Sequence, residues 1–135
     1  MAHAIVTGDM RSRGSGGFSL VELLLVLFVV ALLASLVAPV VTSSIHRARE
    51  STLKEDLHVL RKAIDDFYTD TGRYPESLTQ LAEKRYVRKI PIDPMTEQAN
   101  TWVEVRGEGQ NAGGVVDVRS GSEEKSIDGV AYRDW

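Results

Sequence analysis

The sequence predicts an α+β fold, a long N-terminal helix that is half transmembrane and half soluble, with the soluble half packed on a small antiparallel β-sheet. Three observations carry that expectation. An apolar run, Leu23 to Ala38, follows one charged residue, Glu22. Leu53, Leu57, Leu60, Ile64 and Phe67 then recur at spacings of four and three, which places them on one face of a helix. From Thr101 the pattern changes to short β-branched stretches separated by glycines, the signature of strands and turns.

Taken in order, the chain opens with a short basic stretch. Arg11 and Arg13 precede Gly14-Ser15-Gly16-Gly17, and the apolar segment begins at Phe18. At ~1.5 Å per residue, a helix from Phe18 to Val41 is about long enough to cross a hydrocarbon core ~30 Å thick. Within it a lone carboxylate is expensive, roughly 2.5 kcal/mol or more, so Glu22 is expected to need a cationic partner. A secretory signal would be cut after its apolar run, but Pro39 to Ser44 offers no A-x-A site, so the run is expected to stay. The flexible small-residue site lies before it, at Gly17. Cutting there would leave the Phe18 ammonium four residues from Glu22. An uncleaved anchor with an incidental Glu22 is the alternative.

Gly17-Phe18-Ser19-Leu20-Val21-Glu22, followed directly by the apolar helix, resembles the class III signal of type IV pilins and type II secretion pseudopilins. The resemblance implies a pilin-like fold and cleavage by a prepilin peptidase after Gly17, the last leader residue. It further implies N-methylation of Phe18 and a pairing of Glu22 with the N-terminus of a neighbouring subunit. Pro39 falls where many members of the family carry a helix-kinking proline, and it is expected to kink or locally break the helix. The expected organisation is a cleaved leader (1–17), a transmembrane and assembly half of the long helix (18–41) and an exported globular domain (42–135). Leader processing on the cytoplasmic side implies an inner-membrane, single-pass protein, N-terminus in the cytoplasm and globular domain in the periplasm. Flanking basic residues on both sides, including Arg47, Arg49 and Lys54, make the positive-inside rule a weak guide.

The soluble half continues the helix to Thr71, with Gly72 placed to end it. Glu50 and Lys54 stand at i and i+4, and these and the other charges, among them Arg61, Lys62, Asp65 and Asp66, read as a solvated face, with contacts between subunits as the alternative. Pro75 is expected in the first turn of a short second helix that carries Leu78, Leu81 and Ala82 inward. Trp102 to Val105 and Val115 to Val118 read as antiparallel strands joined by the Gly107 to Gly114 loop, and Val130 to Tyr132 as a third strand. Thr71-Gly72-Arg73-Tyr74-Pro75 and Ile90-Pro91-Ile92-Asp93-Pro94 are similar to segments of major pseudopilins. Met95-Thr96-Glu97 departs from the Trp-Gly-Asn that usually follows.

At 135 residues and 43% hydrophobic, much of it in one segment, the chain supports one soluble domain. The net charge of −3 gives no reason to expect nucleic acid as a partner. There is no cysteine, so another device must hold the C-terminal region. Asp117, Ser120, Ser122, Glu123, Glu124, Ser126 and Asp128 supply hard oxygen atoms of the kind calcium takes, without the spacing of an EF-hand. In major pseudopilins the corresponding loop commonly binds calcium, so the resemblance implies a calcium site at Asp117, Ser120, Glu123, Glu124 and Asp128. Lys125 in their midst favours the other reading, a solvated acidic turn. No other cofactor is expected. His46 and His58 lack zinc-ligand spacing, and no nucleophile motif is present, so the chain does not read as an enzyme. The expected function is that of a structural subunit of a type II secretion pseudopilus. Expected partners are further copies in a helical filament, other pseudopilins, the inner-membrane assembly platform and the prepilin peptidase. A type IV pilin and a non-polymerising membrane-anchored binding domain are the alternatives.

Overall fold

The computed structural model describes residues 2–5, 8 and 16–135. The basic leader residues Arg11 and Arg13, with Gly14 and Ser15, lie outside the described residues. The chain divides into two compact units, Met1–Pro39 and Val40–Trp135.

Helix α1 runs from Leu20 to Thr71. It begins two residues later than the apolar segment because Ser19 caps it: the Ser19 hydroxyl accepts from the Glu22 amide at 3.2 Å, and the Glu22 carboxylate accepts from the Ser19 amide at 3.3 Å. This reciprocal pairing is a capping box, which satisfies two of the amides that every helix start leaves orphaned. From Phe18 to Val37 the leucine, valine and phenylalanine side chains are exposed, and the stretch is long and apolar enough to cross a membrane. Pro39 lies inside α1 without interrupting it, so the expected local break does not occur. A proline removes one helix donor, and the helix continues through that single loss.

In the second unit the stripe read from the sequence is the core. Leu53, Leu57, Leu60, Ile64 and Phe67 are buried, joined by Ala63, and pack with Leu78, Leu81, Val115, Val118 and Tyr132. Gly72, at φ 72°, ends the helix, its amide donating to the Tyr68 carbonyl at 2.8 Å.

Helix α2 is shorter and later than expected, Leu78–Glu83. Ser77 is its N-cap, accepting from the Gln80 amide. Pro75 stands outside the helix, fully buried, with its carbonyl accepting from the Val115 amide at 2.8 Å. It therefore anchors the sheet and does not open the helix. Strand β1 (Val103–Arg106) pairs antiparallel with β2 (Val115–Arg119), Glu104 opposite Val118, with a bulge between Val105 and Arg106. Trp102 lies just outside β1 and is buried, donating from its indole nitrogen to the Pro91 carbonyl at 2.8 Å.

The third strand is a correction. Among the described residues the sheet has two strands. Ala131 makes only an isolated bridge to Lys125, and Tyr132–Asp134 is a single 3-10 turn. Gly129, at φ 84°, turns the chain back on itself, with the Ser126 amide donating to the Val130 carbonyl at 2.7 Å. The turn delivers the Tyr132 ring into the core, where it is completely buried. Burying that ring and capping the turn satisfies the segment without a third ladder.

Candidate functional site

Two places were singled out by sequence: the Gly17-Phe18 junction with Glu22, and the acidic loop from Asp117 to Asp128. At the first, Gly17 and Phe18 precede α1 in non-helical chain, and both are exposed. A side-chain carbon built on Gly16 or Gly17 would meet nothing within 4 Å. Among the described residues nothing crowds Gly17, and the Gly17-Phe18 junction lies in exposed chain, as a protease substrate requires. Glu22 sits in the first turn of α1, where a carboxylate is favoured by the helix dipole and its free amides. Its partner here is the Ser19 amide through Oε2, a local group. No ion pair of Glu22 occurs among the described residues. The capping bond engages one carboxylate oxygen, Oε2, and no bond to Oε1 occurs among the described residues.

At the second place the structure disperses the residues. Asp117 Oδ1 accepts from Arg61 Nε at 2.8 Å and from the Val118 amide at 2.8 Å. Ser120 is fully buried, donating to Asp93 Oδ2 at 2.6 Å and accepting from the Ser122 amide. Ser122 accepts in turn from the Glu124 amide, and Ser126 from the Val130 amide. Glu123, Glu124 and Asp128 are exposed. Among the described residues no three of the acidic, histidine or cysteine side chains come together in a way that could hold a metal.

What the sequence reading missed is the set of helix side chains that hold this segment. Glu50 Oε1 accepts from the Ile127 amide at 2.8 Å and from the Tyr132 hydroxyl at 2.9 Å. Burial pushes the Glu50 carboxyl up, but those two hydrogen bonds, with the charges of His46 and Lys54, outweigh it and hold the group below its usual range. Tyr132 is pushed up to about 12, by burial first and then by the Glu50 carboxylate it bonds. Lys54 stands 4.7 Å over the Trp135 ring, itself edge-on to Tyr132. Arg61 donates to Asp117, to the Val118 carbonyl at 3.0 Å and to the Trp135 main-chain oxygen at 2.6 Å. The expected solvated face is therefore split: Lys62 and Asp66 pair at 2.6 Å on the surface, while Glu50, Lys54 and Arg61 turn to the C-terminal segment. Asp93 is the other unforeseen centre, wholly buried, with Oδ1 accepting from the Met95 amide and Oδ2 from Ser120 and Gly121. The Asp93-Pro94 pair was its one visible signal, since Asp before a turn bonds the amide two residues on.

Residues 12–38 match the family described as the prokaryotic N-terminal methylation motif. The chain is 30% identical to the type II secretion system core protein G of Pseudomonas aeruginosa, over 63% of this chain and 71% of that one. This chain belongs to the type II secretion system core protein G family. Similar likeness extends to the core protein G of Klebsiella michiganensis, 30% identical over 63% and 71%, and of Escherichia coli, 28% identical over 58% and 65%. No solved structure matches the chain. For a core protein G the methylation motif covers the stretch in which Gly17 is accessible and Glu22 caps the helix, so the sequence signature and the local geometry coincide.

Proposed function

We propose that this chain is a structural subunit of a type II secretion pseudopilus, processed at Gly17 and assembled through α1. The observation that carries the reading is the junction: an accessible Gly17-Phe18 bond directly before an apolar helix whose first turn holds Glu22. The apolar half of α1 anchors the chain in the inner membrane, in keeping with its relatives' place in a secretion system. In this reading residues 1–17 are a leader, 18–41 the membrane and assembly half, and 42–135 the exported domain, with the N-terminus cytoplasmic and the domain periplasmic. The prepilin peptidase removes the leader and methylates Phe18. Glu22 then faces the Phe18 ammonium of a neighbouring copy, its capping bond engaging one carboxylate oxygen. Other pseudopilins and the assembly platform are the remaining partners, and Pro39 gives the helix a weakened position between the two halves. The role is structural, with no catalytic step.

Mass spectrometry of the membrane-extracted protein tests the processing step. The expected product begins at methylated Phe18, and replacing Gly17 with a bulky residue leaves the leader attached. An intact N-terminus in cells with an active peptidase overturns the reading.

A further inference from the structure

We propose that Arg61 acts as a built-in cation that closes the C-terminal segment, in the place where the family resemblance implies calcium. Part of the oxygen set a calcium ion would need is already engaged by donors of the chain itself, and the exposed carboxylates of Glu123, Glu124 and Asp128 join no group of three among the described residues. Calcium takes six to eight oxygen ligands. Here Asp117 Oδ1 is held by the Arg61 guanidinium and the Val118 amide, and the Val118 carbonyl also accepts from Arg61. The hydroxyls of Ser120, Ser122 and Ser126 each accept from a backbone amide. The carbonyls of Glu124, Ser126 and Val130 accept from Tyr132, Gly129 and Ser126. With Asp117 Oδ1 and the serine hydroxyls taken and the remaining carboxylates dispersed, the set does not fit a hard cation.

What such an ion would do is draw together oxygens from separate parts of the loop. The guanidinium of Arg61 does this with its planar fork, reaching a carboxylate on β2, the carbonyl beside it and the Trp135 oxygen 74 residues away in sequence. Asp93 completes the closure from the opposite sign, a buried carboxylate accepting from Ser120 and Gly121 as the chain leaves β2. Gly121 is required there, because a side-chain carbon would collide with the Thr101 carbonyl. Lys125 stands exposed in the loop, its ammonium free to stay in water.

The test uses the full chain in detergent micelles, followed by thermal unfolding and by amide hydrogen exchange, in calcium chloride and in chelator. Wild type is expected to melt at the same temperature and exchange at the same rates in both. A saturable rise in Tm with calcium overturns the proposal. Arg61→Gln is expected to speed exchange at the amides of Val118, Tyr132 and Trp135 about tenfold or more, with the Leu53 to Leu60 amides unchanged. Unchanged exchange at Val118 and Trp135 overturns it equally. Should Arg61→Gln fail to fold, Arg61→Lys, which keeps the charge and loses the fork, is read at the same amides, with a smaller acceleration expected and none counting against the proposal.

Discussion

Tyr132 and Glu50 show how much one pair, a buried phenol on a half-buried carboxylate, decides. The phenol is fully enclosed and donates to a carboxylate held below its usual range, so each group favours the protonation state in which the bond forms. The sign on the alkaline side follows from Tyr132, whose folded value near 12 lies above the ordinary 10. Stability from this group is fully present below pH 10 and is lost as pH rises towards 12, on the order of 3 kcal/mol in all. On the acid side Glu50 is lowered, so its contribution is present above the usual carboxylate range and lost as pH falls through its folded value. Asp56, raised by burial and by the nearby charges of Asp93 and Glu55, works against it, favouring the fold as pH falls. Denaturant midpoints measured from pH 9 to 12 should fall for wild type and fall less steeply for Tyr132→Phe. That variant should also lose about 1 kcal/mol at neutral pH, the usual net worth of a hydrogen bond. Parallel curves for the two proteins would remove Tyr132 from the account.

At the scale of elements, α1 supplies most of the core and the rest of the domain closes over it. Leu60 and Ile64 are wholly buried in mid-helix, with Leu57 and Phe67 nearly so. Truncating a buried leucine removes transfer free energy and leaves a cavity, so Leu60→Ala should cost about 2–5 kcal/mol. Val59, the adjacent position on the outer side of the helix, is exposed, and Val59→Ala should cost under about 0.5 kcal/mol. Urea unfolding of the two variants checks the contrast, and equal losses would mean that the stripe is not what holds the domain together. The two-stranded sheet could not stand alone. It is kept by the Pro75 carbonyl on Val115, by Glu104 accepting from the Leu78 amide, and by Val115 and Val118 against the helix.

For the whole molecule, insertion and assembly should separate at Glu22. The capping box already engages one oxygen of the carboxylate, so the monomer should tolerate the residue in its apolar helix. Glu22→Ala removes a charge that is costly in lipid, and insertion should persist or improve. If the remaining charge is what a neighbouring Phe18 ammonium pairs with, filaments should fail to form. Membrane fractionation and electron microscopy of the same cells read both quantities, and wild-type filament yield from Glu22→Ala would exclude the pairing.

The sequence by itself determined what depends on near neighbours along the chain. The apolar run, the stripe at spacings of four and three, the end at Gly72 and the methylation signature are local patterns, and each is found where the residues placed it. The Ser19-x-x-Glu22 capping box was equally local and could have been read. Only the tertiary structure decided which charges of α1 turn inward, because their partners lie far away in sequence: Asp117 is 56 residues from Arg61, and Tyr132 is 82 from Glu50. Periodicity reports which face of a helix is apolar, but it carries no information on what polar group will stand opposite. The same limit misplaced the third strand. Val130-Ala131-Tyr132 has the residues of a strand, yet the Gly129 turn and the burial of one aromatic ring satisfy it better than a ladder would.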